Sequence, residues 1–287
     1  MKKIKLATRG SRLALVQARL VRDILAGAGV AAEEVIVSTR GDRNKVSPLI
    51  KIGGNGLFVR EIEKSLLAGE ADIAVHCGKD LPFELDERLV IAGVTRSADC
   101  RDCLVIPEGK SLTKASVIGT GSPRRIAEFS GLHNYIEFKD IRGNITTRLE
   151  KLRQGDYDGV ILAKAGLDRI GFDGEGYDIR VYEPYEMIPA ACQGILALEC
   201  RRDDEELCRL VESISDEATL RRFEVERYMF CRLRADCSAA VGVYAEVDEK
   251  ASERLNIMAM YEGRRAEISG RYEDYRELCE ELYAKLT

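Results

Sequence analysis

The hydrophobic pattern of the first two hundred residues alternates between two periods. In residues 11–26 apolar side chains recur at spacings of three and four, which predicts an amphipathic helix that ends near Gly27 and Gly29. Short continuous apolar runs predict buried strands instead. Such runs lie at residues 3–8, 35–39, 72–77, 89–94, 103–106, 117–120, 135–141, 159–163 and 195–200. Strands that alternate with helices are typical of an α/β protein.

The final part of the chain shows a different order of elements. One long helix is predicted over residues 216–233, and a terminal helix is predicted from about residue 273. Three strands are predicted between them, near residues 241–247, 255–261 and 264–271. This order predicts a small α+β module, so the pattern favours three domains over two. A glycine-rich segment at residues 41–56 predicts a loop in the first domain.

Composition narrows the class of protein. Hydrophobic residues make up 45% and charged residues 32% of the 287 residues, as in a folded globular chain. The net charge of −5, from 44 basic and 49 acidic residues, argues against a dedicated nucleic-acid binder. No apolar run approaches the roughly 20 residues of a membrane helix, and residues 1–8 lack the pattern of a signal peptide. We therefore expect a cytoplasmic protein that needs neither a membrane nor a nucleic acid.

The histidine and cysteine content bears on metal and disulfide chemistry. Only two histidines are present, so no metal centre is expected. Nine cysteines at irregular spacing favour free thiols in a reducing compartment. Cys100 and Cys103 form a Cys-x-x-Cys pair, yet they precede a strand, whereas a thioredoxin-like motif opens a helix. A redox or metal-sensing role for this pair stays an open alternative.

Arginines recur where predicted strands turn into helices. Arg9 follows the first strand, and Arg124 and Arg125 lie in the first turn of a helix that Ser122 and Pro123 begin. The arginines near later turns are Arg142, Arg148 and Arg169. Such turns face the ligand crevice of open α/β sheets. A guanidinium in the first turn of a helix interacts unfavourably with the helix dipole, and a bound anion offsets that cost. The pattern indicates a ligand with several carboxylates or phosphates; solvated surface charge is the alternative.

Two further positions indicate chemistry beyond anion binding. Asp80 follows the predicted strand at residues 72–77, where a carboxylate is well placed for acid–base or electrostatic catalysis. An Asx turn or a surface pair with Lys79 is the alternative. Cys237 lies in a turn after the long helix, and Arg232 and Arg234 favour its thiolate form. An exposed structural cysteine is the alternative there.

Several of the candidate residues belong to longer motifs. These motifs are Ala7-Thr8-Arg9-Gly10-Ser11, Thr39-Arg40-Gly41-Asp42, Gly53-Gly54-Asn55-Gly56-Leu57-Phe58, Ala71-Asp72-Ile73-Ala74-Val75-His76-Cys77-Gly78-Lys79-Asp80, Gly119-Thr120-Gly121-Ser122-Pro123-Arg124-Arg125, Arg142-Gly143-Asn144, Thr147-Arg148-Leu149, Ala163-Lys164-Ala165-Gly166-Leu167 and Gln193-Gly194. Taken together in order and spacing, they resemble the porphobilinogen deaminase (hydroxymethylbilane synthase) family along essentially the whole chain. The chain departs from the usual pattern at Cys77-Gly78 and around Cys237, where Ala235-Asp236 precedes the cysteine in place of two glycines.

The resemblance implies two α/β domains like those of type-2 periplasmic binding proteins, which flank a cleft, and a small C-terminal α+β domain. The expected boundaries are residues 1–95 with 195–213, residues 96–194, and residues 216–287. It also implies a monomer in which Asp80 is catalytic and a dipyrromethane cofactor is attached through a thioether to Cys237. The groups implied to bind acetate and propionate side chains are Arg9, Ser11, Lys79, Ser122, Arg124, Arg125, Arg142, Arg148 and Arg169.

The implied reaction condenses four porphobilinogen molecules head to tail, releases ammonia each time and hydrolyses off hydroxymethylbilane. Each substrate carries two carboxylates, so the growing chain calls for many guanidinium groups. Loss of ammonia leaves a cationic carbon that a fixed carboxylate such as Asp80 stabilises, and the sulfur of Cys237 attacks the same kind of carbon. The alternative is a non-catalytic two-lobed anion-binding module, because solute-binding proteins share this fold.

Overall fold

The structure, a computed structural model, describes residues 3–38, 59–234, 239–248 and 253–287. The chain divides into two compact units, the first formed by Met1–Ala98 with Ile195–Glu224 and the second by Asp99–Gly194 with Val225–Thr287. The chain therefore passes between the units three times. The predicted loop at residues 41–56 and Cys237 lie outside the described residues, and the predicted domain boundaries stay a prediction.

Thirteen strands and eight helices are present among the described residues. The strands are β1 (Ile4–Arg9), β2 (Ala32–Val37), β3 (Ile73–Cys77), β4 (Leu89–Val94), β5 (Asp102–Pro107), β6 (Val117–Gly119), β7 (Glu137–Lys139), β8 (Gly159–Ala163), β9 (Tyr177–Val181), β10 (Leu196–Arg201), β11 (Val241–Asp248), β12 (Arg254–Tyr261) and β13 (Arg264–Arg271). The helices are α1 (Arg12–Gly27), α2 (Arg60–Leu67), α3 (Pro123–Leu132), α4 (Ile145–Arg153), α5 (Lys164–Arg169), α6 (Glu205–Ser213), α7 (Glu217–Leu233) and α8 (Tyr275–Leu286).

The first unit is built on a five-stranded mixed sheet with the order β2-β1-β3-β10-β4. β1 is parallel to β2 and β3, whereas β10 is antiparallel to β3 and β4. Val21 and Leu25 on one face of α1 pack against Leu6 of β1, and Leu207 and Val211 of α6 join the same core. The helical spacing of these apolar residues explains why both helices lie against the sheet.

The second unit contains a sheet of the same size with the order β7-β6-β8-β5-β9. β6 is parallel to β7 and β8, and β5 is antiparallel to β8 and β9. A separate antiparallel sheet, in the order β11-β12-β13, completes this unit together with α8. The predicted mixed α/β class with a smaller α+β module is therefore confirmed.

Several predicted elements differ from the observed ones. The strand predicted at residues 135–141 is confined to β7, and β9 and α6 were not predicted. β9 alternates half-buried and exposed residues, so it lacks the continuous apolar run that marked the other strands. α6 carried a usable signal, because Asp204 caps it and two glutamates follow in its first turn. Among the described residues, no helix combines the length and apolar character that crossing a bilayer requires.

Candidate active site

The turn after β3 carries the predicted catalytic residue. A single 3-10 turn, Gly78–Asp80, follows this strand, which is the central strand of its sheet. The backbone N–H of Gly78 donates to the carbonyl oxygen of Ile195 at 2.9 Å, which fastens the turn to the chain just before β10. Asp80 is exposed and Lys79 is half-buried. The turn thus presents a carboxylate and an ammonium group at a strand end where α/β sheets bind ligands.

A cluster of buried ionisable groups includes His76, four residues before Asp80. Nε2 of His76 lies 2.9 Å from Oε2 of Glu199 on β10, and both side chains are buried. Burial, and next the charge of Glu199, raise the pKa of Glu63 on α2 to about 7. Glu63 therefore takes up a proton more readily than an exposed glutamate does. Sequence reasoning missed the cluster, although a glutamate inside the apolar run at residues 195–200 was a signal.

Arg9 and Ser11 flank the turn between β1 and α1. Arg9 is the last residue of β1 and is half-buried. The Oγ of Ser11 accepts a hydrogen bond from the backbone N–H of Ala14 at 3.3 Å, so this side chain caps α1. The structure places both residues in the first unit with Lys79 and Asp80, and their predicted binding roles stay predictions.

The two consecutive arginines of α3 are held by a carboxylate of their own unit. Ser122 caps this helix as predicted, because its Oγ accepts a hydrogen bond from the Arg125 N–H at 3.4 Å. Both arginine side chains are buried. Asp102, the first residue of β5, is fully buried: its Oδ1 accepts from Nη2 of Arg125 at 2.8 Å, and its Oδ2 lies 2.7 Å from Nη2 of Arg124. Sequence reasoning assigned this compensating charge to a ligand and missed Asp102.

Arg148 on α4 lies close to two other predicted binding arginines. Its Nε donates to the carbonyl oxygen of Gly143 at 2.9 Å. Burial lowers the pKa of Arg148 to about 10, and the positive charges of Arg125 and Arg142 act in the same direction. Arg142 itself lies 3.8 Å from the carboxylate of Asp140. Like charges that are held together in this way favour the binding of an anion.

Arg169 occupies a different position in the second unit. It ends α5, is half-buried, and donates from Nη2 to the carbonyl oxygen of Gly194 at 2.6 Å. Gly194 is the last residue before the chain returns to the first unit. Arg169 therefore holds the backbone in place where the segment Asp99–Gly194 ends, and its predicted binding role stays a prediction.

The Cys-x-x-Cys pair does not have the environment of a reactive thiol site. Cys100 and Cys103 are both buried free cysteines, and burial raises the pKa of Cys103 to about 12. Across the described ranges, no group of three or more His, Cys, Asp or Glu side chains is arranged to hold a metal ion. These observations weaken the redox and metal-sensing alternative.

Comparisons with known proteins identify the family of the chain. The model of the porphobilinogen deaminase, dipyromethane cofactor binding domain, matches residues 4–209. A porphobilinogen deaminase of Streptococcus sanguinis (strain SK36) is 37% identical over 293 residues, which cover 100% of this chain and 96% of that protein. One from Mycolicibacterium gilvum (strain PYR-GCK) is 42% identical over 255 residues, which cover 87% of this chain and 80% of that protein. The solved structure of the periplasmic VFT2 domain of Bordetella pertussis BvgS is 14% identical with a TM-score of 0.44, and the match covers 74% of this chain and 86% of that one.

The sheets and the site residues define a mixed α/β protein whose strand-to-helix turns are rich in arginine. The chain belongs to the porphobilinogen deaminase family, since the family model covers most of its length and full-length relatives exceed one third identity. Cys237 lies beyond residue 209, so the matched domain does not include the predicted attachment point.

Proposed function

We propose that this protein is a deaminating transferase that condenses four porphobilinogen molecules head to tail, releases ammonia at each step and finally hydrolyses off hydroxymethylbilane. The observation that carries the proposal is the 37% identity to a porphobilinogen deaminase over the whole chain. The exposed carboxylate of Asp80 and the arginine-rich turns of the second unit support it, because they match the chemistry of a polyanionic substrate.

The guanidinium groups of the second unit bind the carboxylates of the growing chain. Arg148 carries its charge at a half-buried position near Arg125 and Arg142. A bound carboxylate therefore offsets both the free-energy cost of burying this charge and the repulsion between the arginines. Asp102 holds Arg124 and Arg125 in place, so their positive charges are already oriented before a ligand binds. In the first unit, Arg9 and Lys79 bind further acetate and propionate groups.

Asp80 acts at the reacting carbon. When ammonia leaves, the carbon–nitrogen bond breaks with its electron pair going to nitrogen, and the substrate carbon becomes cationic. The carboxylate of Asp80 stabilises that positive charge from a short turn that Gly78 ties to Ile195. After the new carbon–carbon bond forms, the same carboxylate accepts the proton that the attacked pyrrole releases.

The dipyrromethane cofactor supplies the first two rings to which substrate units are added. The residues present fit such a group, because a half-buried guanidinium with a lowered pKa beside other cations favours a polycarboxylate partner. Cys237 would hold the cofactor through its sulfur, and Arg124, Arg125 and Arg148 would bind its carboxylates. From the family resemblance, we take the protein to act as a monomer in the cytoplasm, without nucleic acid or membrane.

Mass spectrometry and an ammonia assay test the proposal together. We expect the purified protein to carry a dipyrromethane adduct that is lost in Cys237→Ser and retained in the control Cys231→Ser, whose thiol lies on α7. We also expect ammonia release and hydroxymethylbilane formation from porphobilinogen. An unmodified Cys237 in active enzyme contradicts the cofactor assignment. Binding of porphobilinogen without ammonia release would favour the non-catalytic module instead.

A further inference from the structure

A fully buried carboxylate lies beside two of the arginines to which the proposed function assigns ligand binding. Asp102 is completely buried at the start of β5. Its Oδ1 accepts two hydrogen bonds from one edge of Arg125, from Nε at 3.1 Å and from Nη2 at 2.8 Å. Its Oδ2 lies 2.7 Å from Nη2 of Arg124, a close and buried ion pair. One carboxylate thus contacts two consecutive guanidinium groups.

The opposite sides of the two guanidinium groups are also anchored. Nη1 of Arg124 donates to the carbonyl oxygen of Ile188 at 2.7 Å, and Nη1 of Arg125 donates to that of Ile161 at 2.8 Å. A guanidinium is planar and carries five N–H donors in a fixed fork. Each guanidinium is held by Asp102 on one side and by a backbone carbonyl on the other, so the directions of its remaining N–H donors are fixed.

Asp102 is itself held in place by Gln193. Nε2 of Gln193 donates to Oδ1 of Asp102 at 3.1 Å and to the carbonyl oxygen of Cys100 at 2.7 Å. Gln193 is also buried. The carboxylate therefore cannot rotate away from the arginines without breaking a buried hydrogen bond, which is costly.

The charges in this region do not balance. Asp102 faces Arg124 and Arg125, while the buried Glu128 lies 3.8 Å from Arg265 and also interacts electrostatically with Arg124. Three arginines thus meet two carboxylates. Burial, opposed by the charge of Asp102, lowers the pKa of Arg124, so the two cations depend on this carboxylate. Without Asp102, two like charges would lie side by side in a buried position. With it, the group still keeps a net positive charge that an anionic ligand can neutralise.

We infer that Asp102 is a positioning residue of the substrate and cofactor site, which fixes the Arg124 and Arg125 guanidinium groups in the orientation that binds pyrrole carboxylates. Asp102 acts through the arginines and does not contact the ligand. This role rests on the proposed function, since it assumes that these arginines bind porphobilinogen-derived carboxylates.

Kinetics of Asp102→Asn test the inference on the cofactor-loaded enzyme. The amide would direct an N–H donor at Arg124 and remove the shared negative charge, so the arginines should lose their orientation. We expect KM for porphobilinogen to rise about tenfold or more while kcat changes less than about threefold, because ligand binding is what the arginines supply. The control is Asp158→Asn, which removes the negative charge of a side chain that accepts a hydrogen bond from the Val117 N–H in the same unit. This control should lower Tm and leave KM unchanged.

A milder variant keeps the inference testable if Asp102→Asn does not fold. Gln193→Ala retains the carboxylate charge but removes the hydrogen bond that holds it. We expect a rise in KM of about two- to fivefold, and a shift of the Arg125 Nε–H signal in ¹H–¹⁵N NMR spectra, assigned with Arg125→Lys. Unchanged KM together with an unmoved Nε–H signal in either folded variant would overturn the inference and leave Asp102 as a structural ion pair.

The two proposals fail in different ways. If the unaltered protein released no ammonia from porphobilinogen, the proposed function would fail. The NMR signal of Arg125 would still report whether Asp102 orients that guanidinium. If ammonia release is normal and both variants bind porphobilinogen as well as the unaltered enzyme does, only the positioning role fails.

Discussion

The two units bury opposite kinds of charge. In the first unit, Glu199 lies beside His76 and Glu63 interacts electrostatically with both, so negative charge is in excess. In the second unit, Arg124, Arg125 and Arg265 face the carboxylates of Asp102 and Glu128, so positive charge is in excess. His76 lies three residues before the predicted site residue Lys79, and Arg124 and Arg125 are themselves predicted site residues. The same energetic problem, a buried excess of like charge, therefore occurs twice with opposite sign.

The two units relieve this excess by different means. A glutamate can take up a proton, and the raised pKa of Glu63, about 7, shows that it does so near neutral pH. An arginine keeps its proton under ordinary conditions. The excess charge of the second unit is therefore not relieved by loss of a proton, and this is why we propose that this unit binds carboxylates. Proton uptake belongs to the first unit.

The largest effect is expected at Asp80, the carboxylate that the first unit exposes. Asp80→Asn removes the charge that we propose stabilises the cationic carbon, so we expect kcat to fall by about 10³-fold or more. The cofactor should remain attached in the intact mass, because the proposed thioether to Cys237 does not involve Asp80. Asp86→Asn is the control, since Asp86 pairs with Arg88 in the same unit. Normal turnover in Asp80→Asn would show that the first unit does not supply the reacting carboxylate.

A smaller effect is expected at Arg148, which tests whether the second unit binds the anion. Arg148→Ala should raise KM for porphobilinogen about tenfold with a lesser change in kcat, because a charge-assisted contact with a carboxylate is lost. Arg153→Ala on the same helix is the control, since that exposed side chain pairs with Glu150. Equal KM values for the two variants would contradict the assignment.

The smallest effect concerns pH and stability in the first unit. The pKa of Glu63 is raised from 4.5 to about 7 on folding, so its contribution to stability is complete below pH 4.5 and is lost as pH rises through 7. The full shift corresponds to about 3 kcal/mol, and we expect about 1–2 kcal/mol because the side chain is only half-buried. Urea unfolding between pH 5 and 8 should therefore show a flatter profile for Glu63→Gln.

The exposed Glu70→Gln, in the same unit, is the control for that measurement and should keep the slope of the unaltered protein. Parallel pH profiles for Glu63→Gln and the unaltered protein would contradict proton uptake by the buried cluster.

Local features of this structure could be predicted from the sequence, because they depend on neighbouring residues. The Ser122 cap, the strand Gly159–Ala163 and the strand Arg264–Arg271 follow from short-range signals and occur where predicted. The buried charge partners could not be predicted in the same way. Asp102 and Arg125 are 23 residues apart, and His76 and Glu199 are 123 residues apart. Such pairs depend on which strands become neighbours, and hydrophobic periodicity does not specify that.

The junction between Gly194 and Ile195 has a practical consequence for protein engineering. The carbonyl of Gly194 accepts a hydrogen bond from Arg169 of the second unit, and the next carbonyl, of Ile195, accepts one from Gly78 of the first. A fluorescent reporter or permuted terminus introduced at this junction would disrupt both attachments at once. The exposed turn at residues 153–156 offers a safer insertion point, because its side chains lie in solvent.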